Sequence, residues 1–429
     1  MRLKLPFPFY LTVYFILMML MYHFLVKHYF YWSYIAFLKE DEFGFSLSRL
    51  WVSIGLFLFN LLSLRKQYKN KLSFIVVFLV FALSTAPSLV AYTSGPIYPI
   101  MALVYHQILF YIIYFLSFVK VDLSRIPSFN KKQSLYLLFL ITTIGLIPYL
   151  VVYGPYIDWK NLFLIDVYKT RAATKGLSNA YFGYTYSLYT KIIIPLIIIF
   201  SLELKNRLMM FVGIVYLMLF YLFGAHKTVY LGILVVLAFY KFNYLKSVNW
   251  ILFLSILLLL VCFALAALGY DYPWILTFRR VHFLPSLLDI SYLDFFRENA
   301  MYWSESLLSS FIEYPYDQRH EYLIGEAYFN RPDMAANNGL ISDGYMNLGS
   351  MGVIIHSFII GVYFMLLNSL RIPPRYFGIY FLVIFAFISS SLFTVFLTHG
   401  AIALLIISIF LLRDGHEKNM PHDNGSWPV

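Results

Sequence analysis

Cationic residues stand at the edges of apolar runs in this sequence. Lys227 closes the turn Ala225-His226-Lys227 between two such runs, Arg279-Arg280 follows shortly after a third, and Lys191 lies near the end of a fourth. Guanidinium and ammonium groups that converge there would hold a phosphate or pyrophosphate, arginine through a bidentate fork. In a membrane setting that group is a phosphorylated lipid head group at the bilayer surface. Long cationic side chains at run ends also snorkel to head groups without a specific ligand. The tight turn at Lys227 and the adjacency of Arg279 and Arg280 favour the ligand.

Other chemistries find little support. The sequence has no HxxxH, HExxH or carboxylate cluster of metal-ligand spacing, so no metal and no cofactor are expected. DxD and the phosphate-binding P-loop are also missing, which argues against metal-dependent use of nucleotide sugars and against ATP hydrolysis by that route. The single cysteine, Cys262, excludes an intramolecular disulfide and a cysteine metal cluster. His23, His106 and His356 fall inside apolar runs and read as hydrogen-bonded residues of a helix bundle.

The elements that must position these groups follow from composition. Of 429 residues, 61% are hydrophobic and only 12% are charged. Soluble proteins carry roughly 25% charged residues, so the chain belongs in a membrane. Its net charge of +11 is read as a topology signal rather than as nucleic-acid binding. Runs of the length that a spanning helix needs occur about twelve times, at 9–26, 46–64, 72–91, 97–119, 133–153, 186–203, 208–224, 228–240, 249–269, 349–370, 376–394 and 400–412. The expected fold is an all-α polytopic transmembrane bundle, its N-terminal run a retained first helix. With both termini inside, the shorter alternate loops hold more of the 32 Lys and Arg, as the positive-inside rule requires.

That orientation puts two long loops outside, 154–185 and 270–348. Loops of such length usually carry function. The chain therefore divides into helices 1–9 over 1–269, the large outer loop 270–348, three last helices over 349–412 and a cytoplasmic tail, 413–429. Within the large loop, Leu288, Tyr292 and Phe296, then Trp303, Leu307 and Phe311, recur near helical spacing with polar residues between them. One or two amphipathic helices along the membrane surface would give this pattern. A small cap packed on the bundle would give it equally well.

Three segments carry a resemblance. The run Asn337-Asn338-Gly339 to Gly352 contains Tyr345-x-Asn347-Leu348-Gly349-x-x-Gly352 and leads from a long loop into a helix. Arg279-Arg280-Val281-His282 is followed by Tyr292-Leu293-Asp294, and Gly224 to Lys227 forms the tight turn. In these motifs, in length and in loop placement the chain resembles the O-antigen polymerases, the Wzy-type polymerases of oligosaccharide repeat units. The resemblance implies a metal-free enzyme of the bacterial inner membrane with a GT-C-like fold and a periplasmic active site. Such an enzyme transfers a growing glycan from undecaprenyl pyrophosphate to a lipid-linked repeat unit. Its implied partners are that lipid-linked oligosaccharide, membrane lipid and a chain-length-determinant protein.

Residue by residue, the resemblance assigns Arg279, Arg280, Lys227 and Arg171 to the pyrophosphate. Asp343, then Glu326, is the expected base, and Arg319, Arg331, Asn338 and Tyr345 the acceptor site. The related O-antigen ligases carry a histidine near the position of Asn337 and Asn338. This chain has none there, so His282, His320 and His399 stand as alternatives for the base. Rival functions are a lipid-glycan flippase or transporter, an O-antigen ligase and a non-catalytic scaffold.

Overall fold

The computed structural model describes residues 7–29, 44–94, 98–123, 125–163, 165, 167–306 and 308–413. Among them every regular element is helical. Eight helices are long and apolar enough to cross a membrane: Phe7–Leu25, Leu47–Gln67, Leu72–Tyr92, Lys131–Tyr156, Ala180–Glu203, Arg207–Gly224, Tyr244–Ala267 and Leu340–Ser369. They mark a membrane protein. The other four expected spans are helical but shorter: Ile100–Leu116, Lys227–Phe239, Pro374–Ala386 and Ala401–Leu412. Four helices start at an asparagine whose side-chain oxygen accepts a backbone N–H of the first turn: Asn130, Asn179, Asn206 and Asn243. These caps satisfy N–H groups that a helix start leaves without a partner.

The chain forms two compact units. The first takes the described parts of Met1–Val119, Phe242–Met365 and Phe381–His399; the second takes those of Lys120–Lys241, Leu366–Tyr380 and Gly400–Val429. In the first unit, Leu72–Tyr92 is buried almost all round, while Leu47–Gln67 and Tyr244–Ala267 expose most of their apolar surface. A helix apolar on every side belongs at the centre of a bundle, and an exposed apolar face suits lipid. In the second unit the more buried helix is Ala180–Glu203, packed against Lys131–Tyr153 and Arg207–Gly224.

The segment 270–348 differs from its expected form. Leu284–Phe295 is a helix, but eight consecutive residues from Ser286 to Leu293 are buried, so it packs inside the unit. Trp303 to Phe311 is not helical; the described residues form turns over 302–306 and 308–311. A further helix, His320–Phe329, forms instead. The last helix of the motif region begins at Leu340, well before 349, and is broken at Leu348 and Gly349.

That break explains the motif. Gly349 adopts φ +58°, a conformation open to glycine. The two halves of the helix then cross so closely that a Cβ on Gly344 would lie 2.7 Å from the carbonyl oxygen of Gly352. The break also leaves helix-end carbonyls without their usual partners. Met301 N–H donates to the Met346 carbonyl at 2.8 Å, Tyr302 N–H to the Asn347 carbonyl at 3.1 Å, and Trp303 N–H to Asn347 Oδ1 at 2.7 Å.

Candidate functional site

In the second unit the helix Arg207–Gly224 ends at Ala225, which takes a left-handed conformation with φ 48°. The chain turns through His226 and re-enters a helix at Lys227. Gly224 packs closely here: a Cβ would lie 2.8 Å from the His226 ring and 3.0 Å from the Tyr186 hydroxyl, so one of these side chains would have to shift. The turn frees the Ala225 carbonyl, and Arg171 takes it with two nitrogens, Nε at 3.2 Å and Nη2 at 2.9 Å. Arg171 lies on the short helix Val167–Thr174, and its guanidinium sits 5.6 Å from the Tyr168 ring centre. The loop is anchored from the other side as well. Tyr221 donates to the Asn161 carbonyl at 2.8 Å, and Asn161 Nδ2 donates to Thr170 at 2.8 Å.

Beside this turn lies a cavity of about 440 Å³. Arg171, Lys175 and His226 line it together with Tyr149, Tyr153 and Tyr186, and among the described residues no carboxylate does. The aromatic wall is fixed by hydrogen bonds: Tyr149 to Thr185 at 2.8 Å and Tyr186 to the Phe220 carbonyl at 3.0 Å. Partial desolvation, and then the cations Arg171 and Lys191, lower the pKa of His226, which stands exposed in the turn. The imidazole is therefore neutral near pH 7 and able to accept a proton. A cavity with cations, tyrosine faces and a neutral imidazole suits an anionic group attached to a sugar.

No family model, curated protein or solved structure matches this chain.

The expected pyrophosphate ligands divide between the units. Arg171 lines the cavity, and Lys227 opens the helix that follows its turn, with a side chain outside the described set. Arg279 and Arg280 belong to the first unit, on the π-helical segment Ile275–Phe283. Arg279 is half-buried and Arg280 exposed.

Asp343 is buried and fully engaged. Its Oδ2 accepts the Leu392 N–H at 2.6 Å, and its Oδ1 accepts from Asn338 at 3.3 Å and Asn347 at 3.4 Å, with His356 Nδ1 3.5 Å from Oδ2. In this arrangement Asp343 and Asn338 hold the helix start against the segment at Leu392. Glu326 is exposed on His320–Phe329 and accepts from Gln318 at 2.5 Å. Arg319 pairs with Glu305 and Glu321, and Arg331 is exposed beyond the helix end. Tyr345 stands half-buried with its ring 5.9 Å from that of Tyr105. Among the alternative bases, His282 is buried against the Tyr14 hydroxyl at 2.8 Å, and His399 contacts Ser390 at 3.2 Å.

His226 stands in the turn singled out for Lys227, but no pattern in the sequence gives it a role. Lys175 is one of the cations of the outer loop 154–185, and only the fold brings it to His226 and the tyrosine wall.

Proposed function

We propose that this chain is a metal-independent glycan polymerase of a bacterial inner membrane. In this reading both termini are cytoplasmic, about twelve helices cross the bilayer in a GT-C-like arrangement, and the active site faces the periplasm. The donor is a growing oligosaccharide on undecaprenyl pyrophosphate, and the acceptor is a lipid-linked repeat unit. The observation that carries the reading is the cavity where Arg171, Lys175 and His226 meet a tyrosine wall, taken with the motif resemblance.

The chemistry needs no energy input beyond the donor. An acceptor hydroxyl oxygen bonds to the anomeric carbon as that carbon's bond to the pyrophosphate oxygen breaks. The electron pair leaves with undecaprenyl pyrophosphate, whose growing charge Arg171 and Lys175 stabilise. The hydroxyl proton passes to neutral His226. Tyrosine faces at 149, 153 and 186 pack against the sugar rings. Membrane lipid surrounds the helices, and a chain-length-determinant protein is the expected partner. No nucleic acid takes part.

A second reading, a lipid-glycan transporter, draws on the first unit. A broken helix and buried ionisable pairs are features of transporters. Here the break lies at Leu348 and Gly349, and the buried pairs are His106 with Asp289 at 3.3 Å and His356 with Asp343 at 3.5 Å.

Deletion of the gene separates these functions by the surface glycan on a gel. A polymerase deletion leaves core bearing a single repeat unit. A ligase deletion leaves bare core with lipid-linked polymer accumulating, and a flippase deletion leaves bare core without that polymer. An unchanged ladder eliminates the glycan reading altogether.

A further inference from the structure

Glu305, His320 and Glu321 come together in the first unit, outside the cavity described above. Glu305 lies in the turn that follows Tyr302 and Trp303, both left-handed with φ 51° and 56°. His320 and Glu321 open the helix His320–Phe329. Three potential ligand atoms converge: Glu305 Oε2 is 2.5 Å from His320 Nδ1, Glu321 Oε2 is 3.4 Å from the same nitrogen, and all three lie within 4.8 Å of one another.

The remaining carboxylate oxygens are held apart from this point. Arg319 binds both, Nε to Glu305 Oε1 at 2.9 Å and Nη2 to Glu321 Oε1 at 3.0 Å. One guanidinium thus orients both carboxylates and leaves their Oε2 atoms facing the imidazole. Outer partners of this kind fix first-shell ligands at metal sites. Glu321 Oε2 is buried and accepts no hydrogen bond. The three side chains are 12–17% exposed, which leaves water access for an open coordination position.

We propose that Glu305, His320 and Glu321 bind a divalent first-row transition cation, of the zinc or manganese kind. Ligand atoms about 2.0–2.2 Å from a tetrahedral ion lie about 3.5 Å apart. The His320–Glu321 spacing already matches, and Glu305 Oε2 must withdraw by about 1 Å. One imidazole and two carboxylates suit zinc or manganese better than a soft, thiolate-seeking ion. The cation ties the 302–306 turn to the start of His320–Phe329. It takes no part in glycan transfer, so this inference stands or falls separately from the proposed function.

The test uses the untagged full chain in detergent, loaded with Zn2+ or Mn2+ and desalted. The expected result is one equivalent of metal per chain for the wild type. His320→Gln and Glu321→Gln should each lose it while eluting as folded protein. No retained metal in the wild type, or undiminished metal in both variants, overturns the site. Should the variants not fold, X-ray absorption at the zinc edge of the wild type decides. A shell of nitrogen and oxygen with one imidazole is expected; sulfur, no imidazole or several imidazoles would overturn the assignment.

Discussion

Gly352 packs directly onto Gly344 across the break in the helix Leu340–Ser369, so that a Cβ on Gly352 would overlap the Gly344 carbonyl oxygen. The obstacle is backbone on both sides, which cannot swing away as a side chain would. Gly352→Ala should therefore destabilise the protein by about 1–3 kcal/mol, as overpacking does. Gly55→Ala is the control: nothing lies within 4 Å of its Cβ, and removing a helical glycine gains about 1 kcal/mol. Thermal unfolding in detergent compares the two. Equal melting temperatures would mean that the helix halves do not cross so closely.

Asp343 gives a second prediction about stability. Its loss strands the buried Leu392 N–H and the Asn338 amide, at about 1–3 kcal/mol for each unmet group, while Asn347 keeps its bond to the residue 343 carbonyl. Asp343→Ala should lower the melting temperature and the yield of folded protein together. Full yield with abolished polymer synthesis would instead return Asp343 to the role of base.

How far the sequence carried is clearest at these residues. Hydropathy marks eight helices of the described residues as long and apolar enough to cross a membrane, while the run 376–394 is helical only as far as Ala386 before the chain turns. The Tyr345–Gly352 motif was visible too, but its meaning was not. Gly344 and Gly352 matter through a crossing that only the break at Gly349 creates. The resemblance makes Asp343 the expected base, but the sequence does not show that its shortest hydrogen bond comes from Leu392, far along the chain. Trp303 to Phe311 had helical spacing, but Trp303 N–H is held by Asn347 Oδ1 and the described residues form turns. Glu305 and His320 meet through tertiary packing, which no ligand-spacing pattern anticipates.

Arg171 should govern the leaving group. Arg171→Ala is expected to lower kcat for glycan transfer by about 100-fold or more, the usual loss for a preorganised donor. Arg171→Lys keeps the charge but not the fork that holds Ala225, and should recover only part of that loss. Steady-state kinetics with a lipid-linked repeat unit provide the comparison. A change in KM alone would limit Arg171 to ground-state binding.

His226 should set the acid limb of the pH–rate profile. Partial desolvation and its cationic neighbours lower its pKa, so the neutral, proton-accepting form persists below the ordinary histidine value of about 6.5. Activity should hold through that value and fall only at lower pH. His226→Gln should lose about 100-fold in rate and the acid limb with it. An unchanged limb in the variant would assign the proton to another group.

His282 should make the fold sensitive to acid. Burial lowers its pKa to about 3, so the folded state resists a proton that the unfolded chain accepts below about 6.5. Its contribution is complete above that value and is lost as pH falls toward 3, by about 1.4 kcal/mol per pH unit. His282→Gln should show a smaller drop in melting temperature than the wild type between pH 7 and pH 5. Parallel curves would place the acid sensitivity elsewhere.

The central claim is tested most directly by reconstituting the purified chain with repeat units linked to undecaprenyl pyrophosphate and resolving the products by gel. The account predicts a ladder of lipid-linked oligomers, one undecaprenyl pyrophosphate released for each new linkage, and loss of both with Arg171→Ala. A folded wild-type protein that leaves the repeat units unjoined would contradict it.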